Sequence, residues 1–102
     1  MDFLFYFEKN KTKDLNKILT ADPYADNSFA KIGYVLKEGA TINEKEGSYV
    51  YFKTDESVGV KLSKKLAEIN GIKLEDGDKE RILKKINEQE QNAIEGFGSI
   101  FT

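Results

Sequence analysis

The chain has 102 residues and a mass of 11.6 kDa, and we predict a single domain over residues 1–102. Its hydrophobic fraction of 39%, with 12% aromatic residues, is enough for one packed core. The sequence contains neither Cys nor His, which excludes disulfides, thiolate zinc sites and thiol nucleophiles and removes the commonest general base. A net charge of −2 does not favour the wrapping of duplex DNA, but it permits a local basic strip.

Composition also bears on where the protein works. No apolar run approaches the roughly 20 residues that span a bilayer, and no signal-peptide pattern opens the chain. The sequence Met1–Phe5 leads directly into predicted structure, so we expect a cytoplasmic protein with no membrane contact. Lys and Glu dominate the 33% charged residues, a bias typical of heat-adapted proteins.

An aromatic strand is predicted first, at Phe3–Phe7. Phe3, Phe5 and Phe7 share one face, and Leu4 and Tyr6 share the other. Because both faces are apolar, we expect this strand to be covered twice, by a helix layer or by another subunit.

A helix is predicted next, over Thr12–Thr20, with Thr12 as its N-cap and Asp14 favourably placed in the first turn. The polar stretch Ala21–Ser28, which holds the only Pro, is predicted to be a loop.

Two strands are predicted in the middle of the chain, at Phe29–Leu36 and at Ser48–Thr54. Between them we expect a turn at Lys37–Gly39, a short extended piece at Thr41–Ile42 and a second turn at Asn43–Gly47. A hairpin or meander is the natural pairing of the two strands.

Two helices are predicted in the second half. The first begins at Asp55–Ser57 and ends at Asn70–Gly71. The second is capped by Asp78 and carries a heptad-like seam. The members of this seam are Leu83, Ile86, Glu90, Ala93 and Phe97. An apolar tail follows the second helix.

Catalysis has little support in the sequence. The carboxylate pairs Asp55–Glu56 and Glu75–Asp76 stand at predicted caps and turns, where solvated side chains are the ordinary finding. No Ser lies in a nucleophile-elbow setting, and no His could serve as its base. We therefore predict no catalytic residues, no cofactor and no metal site.

Aromatic and basic residues on the predicted sheet suggest another function. Single-stranded nucleic acid is held by rings that stack bases and by cations that follow the phosphates. The candidates for stacking are Tyr34, Tyr49, Tyr51 and Phe5, although aromatic residues in strands more often form the core. The candidates for phosphate contacts are Lys9, Lys11, Lys13, Lys53 and Lys85. Lys61, Lys64 and Lys65 form a further cluster, which is more typical of a solvated helix face.

Self-association is the second functional hypothesis. An apolar chain end on a small domain is typical of an interface. The predicted interface residues are Leu83, Ile86, Phe97, Ile100 and Phe101.

A family resemblance is carried by three aromatic segments and by the chain end. These are Phe3–Phe7, Ile32–Leu36 with its following Gly turn, Ser48–Phe52 and Glu95–Phe101. Over nearly the whole chain the arrangement resembles the ThermoDBP-related proteins, a small group from thermophilic prokaryotes whose namesake is an atypical single-stranded DNA-binding protein. The resemblance implies an aromatic cleft between sheet and helices with basic residues at its rim, and assembly into dimers or larger oligomers.

The sequence thus predicts an α+β domain with a three- or four-stranded, largely antiparallel sheet, helices packed on one face and oligomerisation through the C-terminal helix and tail. The predicted function is non-catalytic binding of single-stranded DNA or RNA by a homo-oligomer. The alternative is a structural or regulatory homo-oligomeric protein-interaction module with no nucleic-acid role.

Overall fold

The structure, a computed structural model, describes residues 1–25 and 27–101, and the side chains of residues 1–25 and 27–89. It has an α+β fold in which a four-stranded antiparallel sheet lies between helices. The strands are β1 (Asp2–Phe7), β2 (Val35–Glu38), β3 (Ser48–Lys53) and β4 (Ile72–Lys73). The helices are α1 (Thr12–Thr20), α2 (Phe29–Ile32), α3 (Glu56–Glu68) and α4 (Asp76–Phe101). Two 3₁₀ turns cover Lys9–Lys11 and Gly39–Ile42.

The sheet has the order β2-β3-β1-β4, with antiparallel pairing throughout. β2 and β3 form the hairpin that the sequence predicts. β1 is central and pairs along its whole length with β3, from Asp2↔Lys53 to Phe7↔Ser48. β4 covers only Phe5 and Tyr6 of the opposite edge of β1.

Two hydrophobic cores lie on the two faces of β1, as its two-sided apolar pattern predicts. The first core joins Phe3, Phe5 and Phe7 to buried residues of α1, α2 and α3. The second joins Leu4 and Tyr6 to the first turns of α4. The α+β class is confirmed, but the expectation that helices pack on one face only is wrong, because α4 covers the other face.

The helix predicted at Thr12–Thr20 is confirmed, and so is the start of the helix after Asp55. Asp55 caps α3 by accepting a 2.8 Å hydrogen bond from the backbone N–H of Val58. Thr12 is not an N-cap: its hydroxyl instead donates to the carbonyl of Lys9, at 2.8 Å, because a 3₁₀ turn runs directly into α1.

The strand predicted at Phe29–Leu36 is wrong. Ser28 accepts a hydrogen bond from the backbone N–H of Lys31 at 3.2 Å and so starts the short helix α2. Gly33, with φ of +83°, then redirects the chain, and the strand begins only at Val35. A local cap therefore outweighs the alternation of apolar residues, and Lys37 and Glu38 lie in β2 instead of in a turn.

Four smaller differences separate the structure from the prediction. Thr41–Ile42 belongs to a 3₁₀ turn instead of an extended piece, and β4 is a strand that the sequence pattern left unassigned. The last helix begins at Asp76, two residues before the predicted cap. It also continues to Phe101, so the apolar chain end is part of α4 and not a separate tail.

Candidate functional site

A shallow groove of about 330 Å³ runs between α3 and β4, above the first core, and we call it the α3–β4 groove. Its lining residues are Phe3, Phe5, Val60, Ser63, Lys64, Ala67, Gly71 and Lys73. Most of the surface of this groove is apolar, and its charged side chains, Lys64 and Lys73, are both cationic. The groove therefore offers an apolar wall to a flat ligand and two ammonium groups to an anion.

Two glycines allow the elements around the groove to approach closely. A Cβ at Gly59 would lie 2.1 Å from Cζ of Phe3, so only Gly lets α3 rest on that ring. A Cβ at Gly71 would lie 2.6 Å from the ring of Phe7. On the α3 side, the lining residues follow helical spacing from Val60 to Ala67 and form one stripe.

β4 contributes one lysine because of its register. Lys73 is paired with Phe5 and so lies on the Phe face of the sheet, with Nζ 5.7 Å from the ring centroid of Phe3. This distance is within the range of a cation–π contact. Lys73 also forms a 3.6 Å ion pair with Glu75, whose side chain is largely exposed and does not line the groove. An exposed pair of this kind contributes little and is readily exchanged for another anion.

The neighbouring side chains extend the positive charge. Lys61 and Lys65 are exposed on α3 beside Lys64. Val60 is 46% exposed, so the rim of the groove is apolar as well as basic. The hydroxyl of Ser63 is buried and has no hydrogen-bond partner among the described residues.

The predicted stacking residues do not form this site as a set. Phe5 lines the groove but is 2% exposed, and Tyr49 is 3% exposed, so the expectation that Tyr49 is accessible is wrong. Both are buried because helices cover both faces of the sheet. Tyr34 is exposed at 36%, but it precedes β2 and lies edge-on to Phe29 at 6.3 Å between centroids.

Tyr51 lies on the other face, packed beside the second core. It is half-buried, and its hydroxyl donates to Oδ1 of Asp2 at 2.7 Å. Burial, together with this carboxylate, raises the pKa of Tyr51 to about 12. The phenol is therefore held as a neutral donor, with part of its ring covered.

The predicted phosphate-binding lysines lie apart from one another. Lys9 forms an exposed 3.0 Å ion pair with Glu46. Lys11 is half-buried, whereas Lys13 and Lys53 are exposed. These residues come from the first 3₁₀ turn, from α1 and from the end of β3, and the α3–β4 groove contains none of them.

Lys85, the last predicted phosphate contact, is held by a carboxylate. Glu44, whose side chain is 11% exposed, accepts two hydrogen bonds from Arg81, at 3.0 and 3.1 Å, and a short one from Lys85. Hydrogen bonds from Arg81 and Lys85 lower the pKa of Glu44 to about 2. Because this carboxylate is ionised and close, Lys85 is already neutralised, and we correct its assignment as an available phosphate contact.

Two further grooves combine cations with carboxylates. One, of about 220 Å³, lies under α4 and is called the α4 groove here; its lining includes Tyr6, Tyr49, Glu44, Asp78 and Arg81. Another, of about 370 Å³, is lined by Lys9, Glu38 and Glu46 together with small residues. In both, acidic groups stand against the cations, which disfavours an anionic ligand.

The predicted interface residues divide into three groups. Ile86 is 1% exposed in the second core, so its assignment to an oligomer interface is wrong: its own sheet takes up its apolar surface. Leu83 is half-buried and packs against the same core. The side chains of Phe97, Ile100 and Phe101 lie outside the described residues.

Sequence reasoning missed Lys73 and assigned Lys64 to a solvated face. A signal was present in the stripe Val60–Lys64–Ala67, which places a cation between small apolar residues, and in Gly59 and Gly71 on either side of it. Without the register of β4, however, nothing in the pattern places Lys73 opposite that stripe.

Comparisons with known families, curated proteins and solved structures give no match. Among the described residues, no group of three or more acidic side chains is placed to hold a metal ion. Within the same part of the chain, no helix has both the length and the apolarity needed to cross a membrane.

Proposed function

We propose that the protein binds single-stranded nucleic acid without catalysing a reaction, and that the α3–β4 groove is the primary contact. The observation that carries this proposal is the pairing of an apolar wall with two lysines in a lining that contains no carboxylate; Lys73 is paired only with the exposed Glu75, outside the groove. A single strand offers flat bases and regularly spaced phosphates, which match an apolar wall and ammonium groups respectively.

In this proposal Lys64 and Lys73 contact phosphates, and Lys61 and Lys65 extend the positive surface. A base lies against the exposed side chain of Val60 and the apolar surface beside it. The groove is shallow and has few hydrogen-bonding groups, so we expect little sequence selectivity.

The proposal is tested by titrating labelled oligo-dT and oligo-U at two salt concentrations. We expect binding that weakens with salt, since each phosphate contact in a single strand contributes about −0.7 to the slope of log K against log salt. The double variant Lys64→Gln/Lys73→Gln should reduce the size of this slope by about 1.4. We expect its affinity to fall about tenfold through the loss of two charge-assisted contacts.

A matched control removes the same charge elsewhere. Lys11→Gln/Lys13→Gln removes two predicted phosphate contacts, one in the first 3₁₀ turn and one in α1, and it should change the affinity much less. Equal losses in the two double variants would contradict the location of the site. No binding of the wild-type protein at low salt would contradict the function and leave the structural or regulatory module as the remaining hypothesis.

A further inference from the structure

β2 forms an edge of the sheet: within the part of the chain that the structure describes, its only neighbour in the strand order is β3. The backbone N–H of Gly39 donates to the carbonyl of Gly47 at 2.9 Å, in continuation of the β2–β3 ladder. Hydrogen-bonded pairs recur at every second residue of an antiparallel ladder. The backbone groups of Lys37 and Val35 therefore face β3, and those of Leu36 point outward from the sheet.

The ladder between β1 and β3 gives the same result independently. Thr54 N–H donates to Met1 O at 3.1 Å, so alternate residues of β3, including Val50, face β1. Tyr49, one residue earlier, must then face β2, and Tyr49 is the partner of Lys37. Both ladders thus agree on which backbone groups of β2 are left unpaired by the sheet.

Two side chains at this edge are apolar and exposed, beside the charged Lys37 and Glu38. Leu36 is 40% exposed and Tyr34, just before the strand, is 36% exposed. The opposite edge is different: β4 has only two residues, and its outward-facing backbone belongs to Lys73. Short length and charge are the usual protection of an edge strand; β2 is twice as long as β4 and, although Lys37 and Glu38 lie in it, it has an exposed Leu at its centre.

We propose that two copies of the chain join through their β2 strands, antiparallel about a two-fold axis at Leu36, and form one continuous eight-stranded sheet. A two-fold axis perpendicular to the sheet sets residues of the same face opposite each other, so it passes through a residue of β2, and the two strands overlap most when that residue is Leu36 or Lys37. An axis at Lys37 would oppose two ammonium groups, and the N–H of Lys37 is already directed to β3. An axis at Leu36 instead sets two apolar side chains together and lets the two Leu36 residues exchange both backbone hydrogen bonds.

This interface differs from the one that the sequence predicts on α4, and it is independent of any nucleic-acid role. In the proposed interface, Leu36 lies opposite Leu36 of the other copy, and Val35 lies opposite Lys37 of the other copy. Glu38 stands opposite Tyr34 of the other copy, so no like charges are opposed along the strand.

Sedimentation equilibrium over a wide concentration range tests the assembly. The wild-type protein should show the mass of a dimer, and Leu36→Lys, which opposes two ammonium groups at the axis, should show that of a monomer. Val60→Lys is the matched control, because it makes the same change at a residue of similar exposure on α3 and should remain dimeric. Leu36→Pro removes the outward N–H without removing a β2–β3 hydrogen bond, and it should also be monomeric.

Crosslinking locates the contact directly. The natural chain has no Cys, so Leu36→Cys introduces a single thiol. The axis places the two Cα atoms about 5.5 Å apart, within reach of a short bismaleimide. We expect efficient covalent dimers from Leu36→Cys and none from Val60→Cys. A wild-type protein that is monomeric at every concentration would overturn the proposal, as would a dimer that persists in both Leu36→Lys and Leu36→Pro.

Discussion

The α3–β4 groove and the α4 groove lie on opposite faces of the same sheet and look alike in composition. Each has aromatic rings and a lysine near a ring: Lys73 is 5.7 Å from the centroid of Phe3, and Lys45 is 4.3 Å from that of Tyr6. They differ in their carboxylates. The α4 groove contains Glu44 and Asp78, whereas the charged residues that line the α3–β4 groove are lysines.

The difference shows that a cation beside an aromatic ring is not a sufficient sign of an anion site. In the α4 groove, Arg81 pairs with Asp78 of its own helix at 2.8 Å and with Glu44, and the pair with Glu44 holds α4 against the segment before β3. The same residue types therefore hold α4 in place on one face, whereas on the other face the pairing of Lys73 is with an exposed carboxylate outside the groove.

The largest difference between the two grooves should come from destabilising α4, which should affect the α4 groove and leave the α3–β4 groove intact. Ile86→Ala removes a buried side chain of the second core, and we expect the free energy of unfolding to fall by about 2–5 kcal/mol. Urea denaturation measures the change. Leu83→Ala, at a half-buried position on the same helix, should cost about 1 kcal/mol.

The folded Ile86→Ala protein should still bind oligonucleotides, because the α3–β4 groove rests on the first core. Loss of binding at a temperature where circular dichroism shows the variant folded would contradict the assignment of the ligand to that groove.

Much of the fold is predictable because its signals are local. The alternation in Phe3–Phe7 and the acidic start of α3 at Asp55 both depend on neighbours a few residues away. Phe29–Ile32 was misassigned because alternation and capping compete there, and the hydroxyl of Ser28 decides in favour of a helix. The position of α4 on the second face follows from packing. The alternation in β1 predicts that this face is covered, but it does not show which helix covers it.

The candidate site was less predictable because it depends on the register between β4 and β1 and on which carboxylates pair with which lysines. Lys73 reaches the groove only through its pairing with Phe5, a contact between residues far apart in the sequence. Lys85 is held by Glu44, and a sequence does not show which carboxylate pairs with which lysine. Tyr49 and Phe5 are not exposed to a ligand, because helices cover both faces of the sheet.

The carboxylate that neutralises the α4 groove should also contribute to stability. Glu44→Gln weakens the pairs with Arg81 and Lys85, and we expect a loss of about 1–2 kcal/mol in the free energy of unfolding at neutral pH. Glu80→Gln, at an exposed carboxylate of α4, should change the free energy of unfolding by less than about 0.5 kcal/mol.

The same pair of proteins gives a pH dependence. The pKa of Glu44 is about 2 in the folded protein, below its ordinary value of 4.5, so the unfolded chain binds this proton first. The advantage of the wild type over Glu44→Gln should be complete above pH 4.5 and disappear as the pH falls towards 2. Urea midpoints across this range test it, and a difference that does not depend on pH would contradict the charged contact.

Removing the carboxylate of Glu44 should make the charge of the α4 groove more similar to that of the α3–β4 groove. Glu44→Gln leaves Arg81 and Lys85 with one fewer anion, so the α4 groove should gain a weak affinity for phosphates. We expect oligonucleotide binding to strengthen about twofold at low salt and its salt slope to steepen by up to about 1.4. Glu80→Gln changes the net charge by the same amount and should give a smaller gain. If the two variants bind alike, neutralisation by Glu44 is not what distinguishes the grooves, and the shape of the α3–β4 groove must account for its selectivity.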